Sequence, residues 1–221
     1  MKPKIIAKNK EHLKKLIEEE LNLNKNKNKL KSDLNHIDVS QITDMSFLFQ
    51  FSRFNGDISK WNVSNVKDMT AMFDHSSFNG NISEWDVSNV EKMGGMFSQS
   101  KFNSDISKWN VSKVETMLGM FYNAKFNSDI SKWDVSSVVS MDHIFEHAKF
   151  NQDLSDWKPV KLHSCNRLFT NCKASIPYWA EIKNHEERIN AIKRYSIPKE
   201  LSQELEKELS SLNIPIKKIK I

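Results

Sequence analysis

Cysteine is nearly absent from this chain: Cys165 and Cys172 are the two among 221 residues. So small a supply excludes a secreted scaffold stapled by disulfides. No run of about 18 apolar residues occurs, so no transmembrane helix is expected. Met1 to Lys10 holds three consecutive apolar positions, Ile5, Ile6 and Ala7. A secretory signal needs an apolar core of roughly 7–15 residues, and no cysteine lies nearby to accept a lipid. These absences lead to the expectation of a cytoplasmic protein. Glycine is scarce too, at five residues, where calcium-binding repeat arrays are rich in Gly and Asp. No phosphate-binding loop, nucleophile elbow or zinc-finger spacing appears. Neither an enzyme nor a bound cofactor or metal is expected.

The net charge of +5 is unevenly spread. Residues 1–32 carry ten Lys against four Glu, and residues 173–221 carry ten basic against seven acidic side chains. Residues 33–172 hold 13 basic and 17 acidic groups. A basic groove for nucleic acid needs the opposite distribution, so no nucleic-acid partner is expected.

What the middle of the chain does have is a phrase of 24 residues repeated without a gap. Phe54-Asn55-Gly56-Asp57-Ile58-Ser59-Lys60-Trp61-Asn62-Val63-Ser64 opens it, and Val66, Met69, Met72 and Phe73 close it. The tryptophan returns at Trp85, Trp109, Trp133 and Trp157, and the phenylalanine at Phe78, Phe102, Phe126 and Phe150. A fixed period means one structural unit stacked on copies of itself. Ile58, Trp61 and Val63 match the L-x-x-L-x-L spacing of a leucine-rich repeat. Trp61 and Val63 lie two apart, which places them on one side of a short strand. Val66, Met69, Met72 and Phe73 fit one stripe of a short helix, with Ser64 at its N-cap and capping boxes at Ser88/Glu91 and Ser112/Glu115. Asn55, Asn79, Asn103, Asn127 and Asn151 read as a ladder in which each amide bonds the coils beside it.

Degenerate copies extend the columns in both directions, Leu34 to Phe49 before and Leu154 to Phe169 after. The expected fold class is therefore an α/β repeat solenoid, a leucine-rich-repeat-like stack of about six strand–helix coils with helical caps at both ends. Its expected parts are residues 1–32, an N-terminal helical cap and polar linker; 33–173, the solenoid; and 174–221, a C-terminal helical cap and basic tail. The front cap rests on Leu13, Leu16, Ile17, Leu21 and Leu23. The rear one rests on Trp179, Ile182, Ile189 and Ile192, then on a second helix through Leu201, Leu205, Leu209 and Leu212.

The repeat F-N-x-D-I-S-x-W-D/N-V-S-x-V-x-x-M-x-x-M-F resembles that of BspA-type leucine-rich-repeat proteins, in particular the lipoprotein-associated repeat of bacterial surface proteins. The resemblance rests on Trp61, Val63, Met69, Met72, Phe73, Phe78, Asn79 and their copies, and covers roughly residues 33–172. It implies a bacterial solenoid used for contact with proteins or host surfaces, often exported or anchored.

Positions that face out of a stack have no packing duty, and a partner surface is naturally placed there. The outward side of the strands reads His36, Lys60, Glu84, Lys108, Lys132 and Asp156, with Asp38, Asn62, Asp86, Asn110, Asp134 and Lys158 beside them. These are the expected partner-binding residues. The expected function is a non-enzymatic protein-binding scaffold, monomeric, presenting this charged face to another protein. An intracellular immunity or inhibitor protein that occludes a toxin or enzyme is the first alternative, and a surface adhesin the second. His143 and His147, with Glu146 between them, lack the order of a zinc-binding HExxH motif and read as surface residues.

Overall fold

Hydrogen bonds repeat at the period of the sequence. In the computed structural model, which describes residues 2–23 and 29–195, parallel bridges join Asp44 to Asp68, Asp68 to Lys92, Lys92 to Thr116, Thr116 to Ser140 and Ser140 to Ser164. Beyond each bridge, alternate N–H groups donate to the following coil: Met69 to Lys92 O, Ala71 to Gly94 O, Phe73 to Met96 O and His75 to Ser98 O, all at 2.8–2.9 Å. The intervening N–H groups close turns within the coil, Met72 to Met69 O and Asp74 to Ala71 O, each at 3.2 Å.

Here the structure departs from the helix expected over Val66 to Phe73. An α-helix needs every N–H directed four residues back. In this segment Met69, Ala71 and Phe73 donate to the next coil and Lys67 and Asp68 to the previous one, and Ala71 and, just beyond, His75 take φ of 52° and 53°. Consecutive turns result, so the capping boxes of Ser88 and Ser112 have no helix to cap. Trp61 to Val63 likewise forms no paired strand.

Among the described residues, α-helix is confined to the two ends. Strand β1 (Ile5–Ile6) pairs in parallel with β2 (Ile37–Asp38), and helix α1 (Lys10–Leu23) follows β1. Asn9 caps α1, its Oδ1 accepting the His12 N–H at 2.8 Å. Leu13, Leu16 and Ile17 of α1 are buried, which covers apolar surface that a bare stack end exposes. At the rear, a 3-10 turn (Tyr178–Glu181) and helix α2 (His185–Tyr195) bury Trp179 and Ile192. Arg188 of α2 is buried as well, and its guanidinium donates to the carbonyls of Ile182, Leu162 and Lys183. The helix expected through Leu201, Leu205, Leu209 and Leu212, the basic tail and residues 24–28 of the polar linker lie outside the described residues.

The inward columns form continuous stacks. Phe73, Phe97, Phe121 and Phe145 lie face to face with centroids 5.5–5.8 Å apart, and Phe78, Phe102, Phe126 and Phe150 at 6.2–6.3 Å. Each such ring removed from water stabilises by about 1.5–3 kcal/mol. Every repeat tryptophan also spans two coils: Trp85 Nε1 donates to Ile58 O at 3.1 Å and Trp109 Nε1 to Ile82 O at 3.0 Å.

The asparagine column does form a ladder, on a mostly exposed corner. Asn79, Asn103, Asn127 and Asn151 each donate their N–H to the Oδ1 of the asparagine one coil earlier, at 2.7–2.9 Å. Gly56 sits beside it because the backbones crowd there: a Cβ would lie 2.1 Å from Ser32 O.

Candidate protein-binding faces

Most of the residues read from the sequence as facing outward from the strands are exposed. Lys60, Glu84, Lys108, Lys132 and Asp156 are exposed, as are Asn62, Asp86, Asn110, Asp134 and Lys158. The two columns differ in freedom. Asn62, Asp86, Asn110 and Asp134 accept the N–H of the serine two residues on at 3.0–3.2 Å, forming Asx-turns that bend each coil. Bonds from Ser88 hold the Asp86 carboxyl below its ordinary value. The same device recurs at Asp57, Asn81, Asp105, Asp129 and Asp153. Among the described residues, the side chains of Lys60, Glu84, Lys108, Lys132 and Asp156 make no such backbone bond, and the ion pair of Lys132 with Asp156 at 3.1 Å is exposed and contributes at most about 1 kcal/mol.

His36 and Asp38 do not join that face. His36 Nε2 lies 3.0 Å from Glu20 Oε1 and Asp38 lies 2.9 Å from Lys4 Nζ, with side chains 9% and 15% exposed. They fasten the N-terminal cap instead. The N–H of Ser40 and the ammonium of Lys4 hold Asp38 down at about 2.

A second outward face escaped the sequence reading, because its residues were placed on the surface of a helix. It is built by the consecutive turns. One column runs Phe47, Ala71, Gly95, Gly119, His143, Arg167; another runs Gln50, Asp74, Ser98, Tyr122, Glu146, Thr170. All six residues of the first column have positive φ, from 51° to 63°, so the backbone repeats while the chemistry changes at every step but Gly95 to Gly119. The small residues Gly94, Gly95 and Gly119 leave a hollow of about 590 Å³, lined also by Thr70, Leu118, Tyr122 and His143 among others. Leu118 is half exposed at its rim.

A buried acid stands on either side. Asp74 accepts from Gln50 Nε2 at 2.9 Å and lies 2.7 Å from His75 Nδ1. Glu146 is 2.5 Å from His143 Nδ1 and 3.7 Å from both His147 Nε2 and Arg167 Nη1. The hydrogen bond from His143 holds Glu146 below the usual carboxylate range. His143 is thus tied to Glu146 and half-exposed rather than a free surface group. Among the described residues, no three His, Cys, Asp or Glu side chains are grouped to hold a metal ion. Cys165 and Cys172 are free and half-buried, and burial raises both thiols.

The family model described as "Mycoplasma protein of unknown function, DUF285" matches residues 19–126 and again 98–194. The chain belongs to the DUF285 family. DUF285 is the domain found in BspA-like repeat surface proteins. The two DUF285 matches together take in all the linked coils, the last residues of α1 and nearly all of the described C-terminal cap. No curated protein and no solved structure matches the chain. No helix among the described residues is long and apolar enough to cross a membrane.

Proposed function

We propose that this DUF285 chain is a non-enzymatic, protein-binding scaffold of bacterial origin, a BspA-type, leucine-rich-repeat-like solenoid. Its partner surface is the turn face, with the free Lys60 column as a second outward ridge. One observation carries this reading. The two turn-face columns change chemistry at nearly every coil, while the hydrogen bonds beneath them and the buried columns inside repeat almost unchanged. A face under packing constraint converges on one residue type, as the Trp and Phe columns do. A face that reads a partner diverges from coil to coil. The half-exposed Leu118 and the partly buried Tyr122 beside a hollow supply the apolar anchor that interfaces favour.

Capture of partners from native cells tests it, with Leu118→Glu/Tyr122→Ala compared against Lys60→Ala/Glu84→Ala/Lys108→Ala. The turn-face pair is expected to lower capture by about tenfold or more, the loss of about 1.4 kcal/mol or more, and the ridge variant to lower it less. Full capture by the turn-face pair overturns the assignment of the surface.

A further inference from the structure

The residue just before each recurring phenylalanine is Arg53, Ser77, Lys101, Lys125 and Lys149, and Lys173 takes the same place in the last coil. Five of these six are cationic in a repeat body that holds more acids than bases. The backbone sets them in register: Lys101 N–H donates to Ser76 O at 3.2 Å, Lys125 to Ser100 O at 3.4 Å and Lys149 to Ala124 O at 3.1 Å. Ser76, Ser100 and Ala148 before them and Phe78, Phe102, Phe126 and Phe150 after them are buried. Extended backbone alternates its sides, so the cations project outward, and all five are exposed.

Lys67, Lys92 and Lys132 each find a carboxylate on a neighbouring coil. Among the described residues, Arg53, Lys101, Lys125, Lys149 and Lys173 pair with none. Stacked backbones lie about 4.8 Å apart, so Lys101 to Lys173 form a file about 14 Å long. Like charges so close repel one another, and an anionic partner relieves that repulsion.

We propose that this file is a docking ridge for an extended acidic polypeptide. The proposal rests on the reading of the chain as a protein-binding scaffold and names the chemistry of the partner. The width of the ridge decides for a single chain. Beyond the asparagine ladder runs a parallel line of exposed acids, Asp105, Asp129 and Asp153, which repels the second phosphate strand of a duplex. Phe51 and His75 lie against each other at the Arg53 end, and among the described residues His147 is the one ring on the inner flank of the lysines, so bases find a single imidazole rather than a continuous stacking platform. An extended chain places alternate side chains on one face about 6.6–6.8 Å apart, and flexible lysine stems absorb the difference in spacing. Gln99, Asn123 and Asn171 on the inner flank are exposed and offer amides to a peptide backbone.

The test is fluorescence anisotropy of a labelled peptide of alternating glutamate and serine with the full chain. Single-stranded DNA of similar charge is the competing probe. Lys101→Glu/Lys125→Glu/Lys149→Glu is compared with Lys8→Glu/Lys15→Glu/Lys161→Glu, exposed lysines outside both proposed faces that make the same change in net charge elsewhere. Wild type and the second variant are expected to bind the peptide, the ridge variant about tenfold or more weaker, and DNA more weakly than peptide. The triple Lys→Gln ridge variant gives the same answer if charge reversal disturbs folding. Equal loss in both triple variants, tighter binding of DNA, or no binding to wild type overturns the ridge. Partner capture through Leu118 and Tyr122 surviving any of these results leaves the scaffold reading standing.

Discussion

Trp109 packs and bonds at once. Its ring is 4% exposed, it stacks 6.5 Å from Trp133, and its Nε1 donates to Ile82 O one coil away. Trp109→Phe keeps an aromatic ring but removes the donor and leaves unfilled space. The Ile82 carbonyl retains the Trp85 N–H at 3.2 Å, so it is not orphaned. The expected loss is about 1–3 kcal/mol. Asn103→Ala removes one acceptor from an exposed corner where water replaces it, and is expected to cost about 1 kcal/mol or less. Urea midpoints of the two variants check the order; a larger loss at Asn103 means that the corner ladder, not the core, holds the coils together. The burial of the tryptophans was legible in their period. Their part in joining coils was not, because an indole N–H has no sequence signature for the carbonyl it reaches 27 residues back.

The N-terminal cap is fastened by β1, α1 and Asp38. With its carboxyl lowered from 3.8 to about 2, Asp38 binds fewer protons folded than unfolded. Its stabilisation is therefore fully present above about pH 4 and is lost as pH falls towards 2. Lys4 is 69% exposed, so solvent screens the ion pair and the Ser40 N–H carries most of the effect. Asp38→Asn is expected to lower the urea midpoint at pH 6 and to differ little from wild type near pH 2, while Lys4→Met changes it slightly at either pH. An Asp38→Asn deficit that persists at low pH shows that the carboxylate charge is not what fastens the cap. Both helices among the described residues were legible in their apolar spacing, since a helix at a stack end keeps its hydrogen bonds to itself, though the capping Asn9 and Asn184 went unread. The segment Val66 to Phe73 could not. Its spacing also fits turns that bury every third or fourth residue, and what decides between them is the carbonyl row of the next coil. The turn face was missed for the same reason, while His36 and Asp38 were misplaced because a period alone does not reveal where a cap lands on it.

At the scale of the molecule, one coil meets the next through the same bridge, tryptophan bond and asparagine bond along the repeat body. Stability is then close to a sum of equal coil and interface contributions, and the coils are interchangeable. Inserting a second copy of residues 102–125 after Lys125 adds one such contribution, since Phe102 of the copy meets Lys125 as Phe126 does. The inserted chain is expected to keep its urea midpoint or raise it. The slope of its unfolding free energy with urea should rise by roughly a sixth, because the slope follows the surface exposed on unfolding. Inserting residues 102–113 alone breaks the register, sets core columns against exposed ones, and is expected to lower the midpoint sharply. Should the full copy destabilise as much as the half copy, the coils are not equivalent, and the differences confined to the turn face must reach into the core.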